Sequence, residues 1–257
     1  PNPPGATAPL KDIWAAAPNE VIAVGNDGAF HLRDTTWTHE ITTPLFAVAG
    51  RSSTDALVAA TNTGQHWNGA TWTPANGPIG SVADIWATPS TYVAVSDYPS
   101  TFDGSTWTAN MAAQVPSTKG LWIAPSGRVW FAGAGVQHLD ATTLTVDIPS
   151  GTFNAIWGAG ESDVFASGIG EIRHYDGTAW TAMTVPTTNP LAGIWGRASD
   201  DVFAVGSTNT VLHYHAGLWQ QFSTPFTGDL TNVTGAGSSI YATSADGKVY
   251  RLIDTAP

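Results

Sequence analysis

Five of the seven histidines stand at one phase: His31, His66, His138, His174 and His213 each lie six residues before a tryptophan or, once, before Leu144. Imidazoles recurring at a fixed phase could ligate metal or act as general bases. His213 and His215 stand two apart and would share one face of a strand, which makes half a metal site, but no third ligand accompanies them. The chain has no cysteine, which removes thiolate chemistry and cysteine-based metal sites together. Neither Gly-x-Ser-x-Gly nor His-Glu-x-x-His occurs, and no pair of carboxylates recommends itself as acid and base. Gly168-Ile169-Gly170 does not open a helix, so it is no phosphate loop. The sequence therefore offers no catalytic residue, no metal site and no cofactor. Asp163 and Asp201, just before apolar runs, are the expected hydrogen-bond partners of the phased histidines.

The elements that must position these residues are short strands. Leu191 to Phe222 reads as four of them: LAGIW, VFAVG, VLHYH and LWQQF, parted by Gly, Ser, Thr, Asn and Asp turns. Anchored on the first-strand aromatic, this unit recurs at Trp14, Val48, Trp86, Trp122, Trp157, Trp195 and Val233, with spacings of 34 to 38 residues. Seven such units fill the chain of 257 residues. The phased histidines then fall on third strands. With strands ~4.8 Å apart, these lie ~17 Å from a central axis and ~15 Å from their counterparts in the next unit. That separation is far too wide for a shared ion, because zinc–nitrogen bonds are about 2.1 Å. All twelve tryptophans share repeat positions, which marks them as packing between units.

Four strands per unit, repeated radially, predict an all-β, seven-bladed β-propeller of four-stranded antiparallel blades in one domain. The expected blades are 9–43, 44–79, 80–115, 116–150, 151–187, 188–226, and 227–257 completed by 1–8. The last unit stops after its third strand, and the two chain ends are in phase. Residues 1–8 are thus expected to supply the outer strand of the last blade, where prolines are tolerated at an edge.

Charge narrows the partners. Net charge is −11 with nine Lys plus Arg, so no basic cluster exists for nucleic acid or an anionic membrane. No apolar run reaches 18 residues, so no membrane insertion is expected. Low charge density, Thr/Gly/Asn richness and a start at Pro1, read as removal of a leader or linker, suggest an exported bacterial protein. Such a protein would be secreted, periplasmic or held at the cell surface, and monomeric.

Ile156 to Trp180 and Ile194 to Trp219 carry the pattern IWG-x-x-x-x-D-V-F-A-V-G … H-Y-D-G-x-x-W most fully. This pattern resembles bacterial exported repeat proteins, often lipoproteins, of the kelch-like or BNR-like seven-bladed propeller kind. The resemblance implies the fold and is nearly silent on function, although some seven-bladed relatives are lectins.

Function is expected on the variable loops. The turns between second and third strands carry Asn26, Asp27, Asn62, Asp97, Tyr98, Asn209 and Asp246, and the interblade loops carry Asn76, Asn189 and Asp229. Both sets emerge on one face, and Asn and Asp beside an aromatic suit sugar hydroxyls. The first-strand set Asp12, Asp84 and Lys119 lies near the axis, where it could hold a cation or water. The expected function is a binding protein, lectin-like and multivalent. The alternative is a protein-interaction module with one asymmetric patch. Third comes a lyase or glycosidase, which requires one acidic, histidine-containing cavity on the axis.

Overall fold

The computed structural model describes residues 2–78 and 80–252. Seven antiparallel sheets follow one another, each with its strands paired in chain order. Blade 1 comprises Leu10–Ala17, Glu20–Gly25, Gly28–Arg33 and Thr36–Ile41. Blade 2 comprises Ala47–Ser52, Asp55–Ala60, Thr63–Trp67 and Trp72–Pro74, and blade 3 Asp84–Ala87, Tyr92–Val95, Pro99–Phe102 and Trp107–Ala109. Blade 4 comprises Gly120–Ile123, Val129–Gly133, Gly135–Asp140 and Thr143–Ile148, and blade 5 Phe153–Gly160, Asp163–Gly168, Ile172–Tyr175 and Trp180–Met183. Blade 6 comprises Leu191–Ala198, Asp201–Gly206, Thr210–His215 and Leu218–Gln221, and blade 7 Leu230–Ala236, Ser239–Ser244 and Val249–Leu252. First strands line the axis, and second strands are buried on both faces, as VFAVG in blade 6 illustrates.

Ladder register fixes which residues are equivalent, and it corrects two of the seven sequence anchors. Trp195 pairs with Phe203, which pairs with His213. The same row in blade 2 runs Ala49, Leu57, His66, and in blade 7 it runs Thr234, Tyr241, Arg251. The anchors there are Ala49 and Thr234, one residue after Val48 and Val233. Alignment on hydrophobicity slipped because each blade places an apolar residue immediately before the true position.

The corrected row explains the IWG motif. A Cβ on Gly50, Gly158, Gly196 or Gly235 would fall 2.4–2.7 Å from the ring of Trp14, Trp122, Trp157 or Trp195 respectively. Each first-strand indole therefore lies on the glycine of the following blade, at a distance no side chain permits. Where the anchor is the small Ala49 or Thr234, the following blade has alanine, Ala87 or Ala15, in place of glycine. Trp86, followed in blade 4 by Ile123, is the exception. None of the twelve tryptophans is exposed, which agrees with their reading as packing residues.

The seventh blade has three strands among the described residues, and residues 2–8 form no strand. The expectation that this segment supplies the outer strand of the last blade is corrected to that extent; Pro1 and 253–257 lie outside the described residues. The amides of Thr7 and Ala8 donate instead to Asp27 Oδ2 at 2.8 Å each, so they cap the turn of blade 1 rather than joining a ladder. Ala6 packs on the core shared by Leu10, Tyr241 and Val249. The segment thus covers the seam between the last and first blades. Across that seam the Tyr241 hydroxyl donates to Pro18 O.

Candidate functional site

The first strands of all seven blades enclose one axial channel of about 310 Å³. Its mouth on the loop face is set by residues three before the anchors: Lys11, Phe46, Ala83, Lys119, Asn154, Ala192 and Thr231. In four blades a backbone irregularity puts them there. Pairing skips a residue between Leu10 and Asp12, Phe153 and Ala155, Leu191 and Gly193, and Leu230 and Asn232. The extra residue of each bulge, Lys11, Asn154, Ala192 or Thr231, is turned out of the ladder and into the channel.

At the mouth and one residue further in, side chains tether neighbouring blades. Asp12 Oδ2 accepts the Val48 amide of blade 2 at 2.7 Å, and its Oδ1 accepts the Ile13 amide at 2.7 Å and Asn232 Nδ2 of blade 7 at 2.6 Å. Asp84 repeats the device between blades 3 and 4: Oδ2 accepts the Leu121 amide and Oδ1 the Ile85 amide, both at 2.8 Å. Lys119 Nζ donates to Asn154 Oδ1, and Asn154 Nδ2 donates to Leu191 O, each at 2.8 Å, joining blades 4, 5 and 6. Lys11 Nζ lies 3.9 Å from the centre of the Phe46 ring.

Burial pushes the Asp12 carboxyl up, and its three N–H donors pull it back, leaving it at about 6. Asp84 is raised well above the carboxylate range by burial and by the nearby charge of Asp12. Burial also lowers Lys11. The axis thus combines two ammonium groups at its mouth with two hard-to-ionise carboxyls just below. Among the described residues no histidine lines it.

The phased histidines are structural. His66 meets Asp55 at 2.8 Å, His174 meets Asp163 at 2.6 Å, and His213 meets Asp201 at 2.8 Å. His31 bridges Glu20 at 2.9 Å and Glu40 at 3.3 Å, and His138 turns its other nitrogen to Asp147 at 2.7 Å. The expected partners Asp163 and Asp201 hold these positions. His215 Nδ1 faces Asp200 O at 3.2 Å. Among the described residues no group of three His, Cys, Asp or Glu side chains is placed to hold a metal.

The loop residues singled out from sequence are distributed over several blades, and most of their side chains are tied to neighbouring segments. Asn62 accepts the Gly80 amide at 2.9 Å, Asn189 donates to Thr210 Oγ1 at 3.0 Å, and Asn209 accepts from Thr224 at 2.7 Å. Asp229 accepts the Thr208 amide at 2.8 Å, Asp246 pairs with Lys248, and Asp27 holds the N-terminal segment. Asn76 sits in the left-handed region at φ 50°, and its carbonyl packs against Gly64. Asn26 donates its amide to Pro9 O, while Asp97 and Tyr98 offer backbone carbonyls to Val115 and Ser96. Asn209 and Asp229, with Asp246 beside them, are drawn into one neighbourhood through Thr208 and Ala245, and the Asn62 turn lies against the Asn76 loop in blade 2. Sequence reasoning found Asp12, Asp84 and Lys119 and missed Lys11, Phe46, Asn154 and Asn232.

Seven sheets about one channel define the chain as a seven-bladed β-propeller. The WD40 β-propeller domain of Doa1 superposes with a TM-score of 0.84 at 14% identity, covering 100% of this chain and 96% of that one. A structure of YCF48 bound to D1 peptide gives 0.79 at 14% identity over 98% and 95%. The extracellular domain of a putative one-component system from B. thetaiotaomicron gives 0.80 at 10% identity over 98% of this chain and 39% of that one. At these identities the likeness is one of fold. No family model matches the sequence, and no curated protein does.

Proposed function

We propose that this propeller is a binding module whose ligand is a segment of a protein partner, seated at the loop-face mouth of the axial channel. The observation that carries this reading is the asymmetry of the mouth. Seven equivalent positions hold Lys, Phe, Ala, Lys, Asn, Ala and Thr. A repeat that preserves histidine and tryptophan elsewhere preserves nothing here, which suits one asymmetric ligand on the axis rather than seven copies of one pocket. That a propeller of the same fold has been seen with a bound peptide supports the same choice. The lectin-like reading at Asn26, Asp27, Asn62, Asn76, Asp97, Tyr98, Asn189, Asn209, Asp229 and Asp246 draws less support, because six of these side chains, Asp27, Asn62, Asn189, Asn209, Asp229 and Asp246, are already hydrogen-bonded or ion-paired within the protein. An extracellular neighbour fits a surface setting for the module.

Panning a displayed random-peptide library on the immobilised protein, beside a glycan array, tests the reading. Enriched peptides should lose affinity at least about tenfold when the mouth is plugged by Ala192→Tyr or Ala83→Tyr with the fold intact. An array hit abolished by changing Asn62 and Asn209, with no peptide enriched, would overturn it.

A further inference from the structure

The mouth also specifies the ligand's charge. The chain carries nine Lys and Arg against twenty Asp and Glu, so a cation without a carboxylate partner is unexpected. Six of the nine are paired: Arg33 with Glu40, Arg51 with Asp55, Arg128 with Asp140, Arg173 with Glu171, Arg197 with Asp201 and Lys248 with Asp246. Arg251 donates to Ser239 Oγ at 2.7 Å. The remaining two, Lys11 and Lys119, have no carboxylate within ion-pair distance among the described residues, and both line the axial mouth.

Their surroundings make this more than chance placement. Lys11 is half-buried over the Phe46 ring, and desolvation there already works against its charge. A partly desolvated ammonium without a carboxylate partner is favoured by an incoming anion. Lys119 spends one N–H on Asn154 Oδ1, at 2.8 Å, and keeps two for a ligand. Blades 1 and 4 lie three steps apart in a ring of seven, so the two lysines line the mouth from nearly opposite blades.

We infer, building on the axial reading above, that the mouth recognises a carboxylate of the partner segment. The carboxylate lies between Lys11 and Lys119, with the ligand's aliphatic portion against Phe46.

Calorimetric titration with four short peptides tests this. Acetyl-tetraglutamate amide carries side-chain carboxylates, acetyl-tetraglutamine with a free C-terminus carries a terminal one, acetyl-tetraglutamine amide carries none, and acetyl-tetralysine amide is the charge-reversed control. One or both carboxylate peptides should bind, and which of them binds identifies the carboxylate as side-chain or terminal; the neutral and basic peptides should not. Binding should weaken about tenfold in Lys11→Met and in Lys119→Met, weaken further with added salt, and be unchanged in Lys248→Met, which removes a rim lysine. Absence of binding by both carboxylate peptides, or binding indifferent to Lys11→Met and Lys119→Met, overturns the inference. Library-selected peptides that bind without a carboxylate yet are blocked by Ala192→Tyr also overturn it, while leaving the axial reading intact. Peptides indifferent to Ala192→Tyr remove both.

Discussion

Asp12 holds three blades together with one side chain: it accepts from Val48 in blade 2 and from Asn232 in blade 7. That duty has a thermodynamic signature. An unfolded aspartate titrates near 3.9, whereas Asp12 in the fold sits at about 6. Between those values the native state binds more protons than the unfolded chain. The contribution is therefore complete below about pH 4 and is lost as pH rises through about 6. Asp84, also raised, acts in the same direction. Comparing the wild type with Asp12→Asn isolates the effect: the wild type should lose on the order of 2 kcal/mol relative to the variant between pH 4 and pH 7. Denaturant curves at the two pH values measure it, and parallel stabilities would show that Asp12 titrates in the fold as it does in the unfolded chain. At this scale the sequence was readable where residue types repeat. The histidine partners Asp163 and Asp201 follow from phase alone. Asn232 was hidden because the blade 7 anchor was placed at Val233, a register slip of one, and Lys11, Phe46 and Asn154 share no residue type that a repeat comparison could detect.

Between strands, packing rests on glycines whose missing Cβ is occupied by something else. Second strands end on Gly25, Gly133, Gly168 and Gly206, where a Cβ would fall 2.0–2.4 Å from the carbonyl oxygen of the loop entering the same blade. Those carbonyls are those of Pro9, Ser117, Thr152 and Pro190, and Pro190 O in turn accepts the Ser207 amide at 2.9 Å. Their φ values are not left-handed, so the constraint is close backbone approach. Gly206→Ala should cost about 1–3 kcal/mol through the displaced loop. Gly160→Ala, with nothing within 4 Å of the added carbon, should be neutral or slightly stabilising. Thermal unfolding of the two variants settles the comparison, and equal melting temperatures would remove the packing argument. The bulges at Lys11, Asn154, Ala192 and Thr231 belong to the same scale. A strand one residue longer on one side leaves no mark in composition, so the device that turns the mouth residues inward is visible only in the ladder.

For the molecule as a whole, the seven-fold pattern was legible because its large aromatics recur at a period that fills the chain. The closure was less so. Residues 2–8 are in phase to complete the last blade, yet Asp27 captures their amides and prolines at 3, 4 and 9 supply none. The last and first blades meet instead through Asn232 and Asp12, through Tyr241 and Pro18, and through a shared core that holds Leu10 and Ile13 with Tyr241 and Val249. A ring of seven similar blades has one place where its parts must differ to recognise a single ligand, and that place is the axis. The most direct measurement is a map of backbone amide shifts on adding a library-selected peptide. The account predicts perturbation centred on Lys11 to Ile13, Phe46 to Val48, Lys119 to Leu121 and Asn154, with the outer strands silent. Shifts confined to the loops of Asn26, Asn62 and Asn209, or to the rim, with the mouth unmoved, would contradict it.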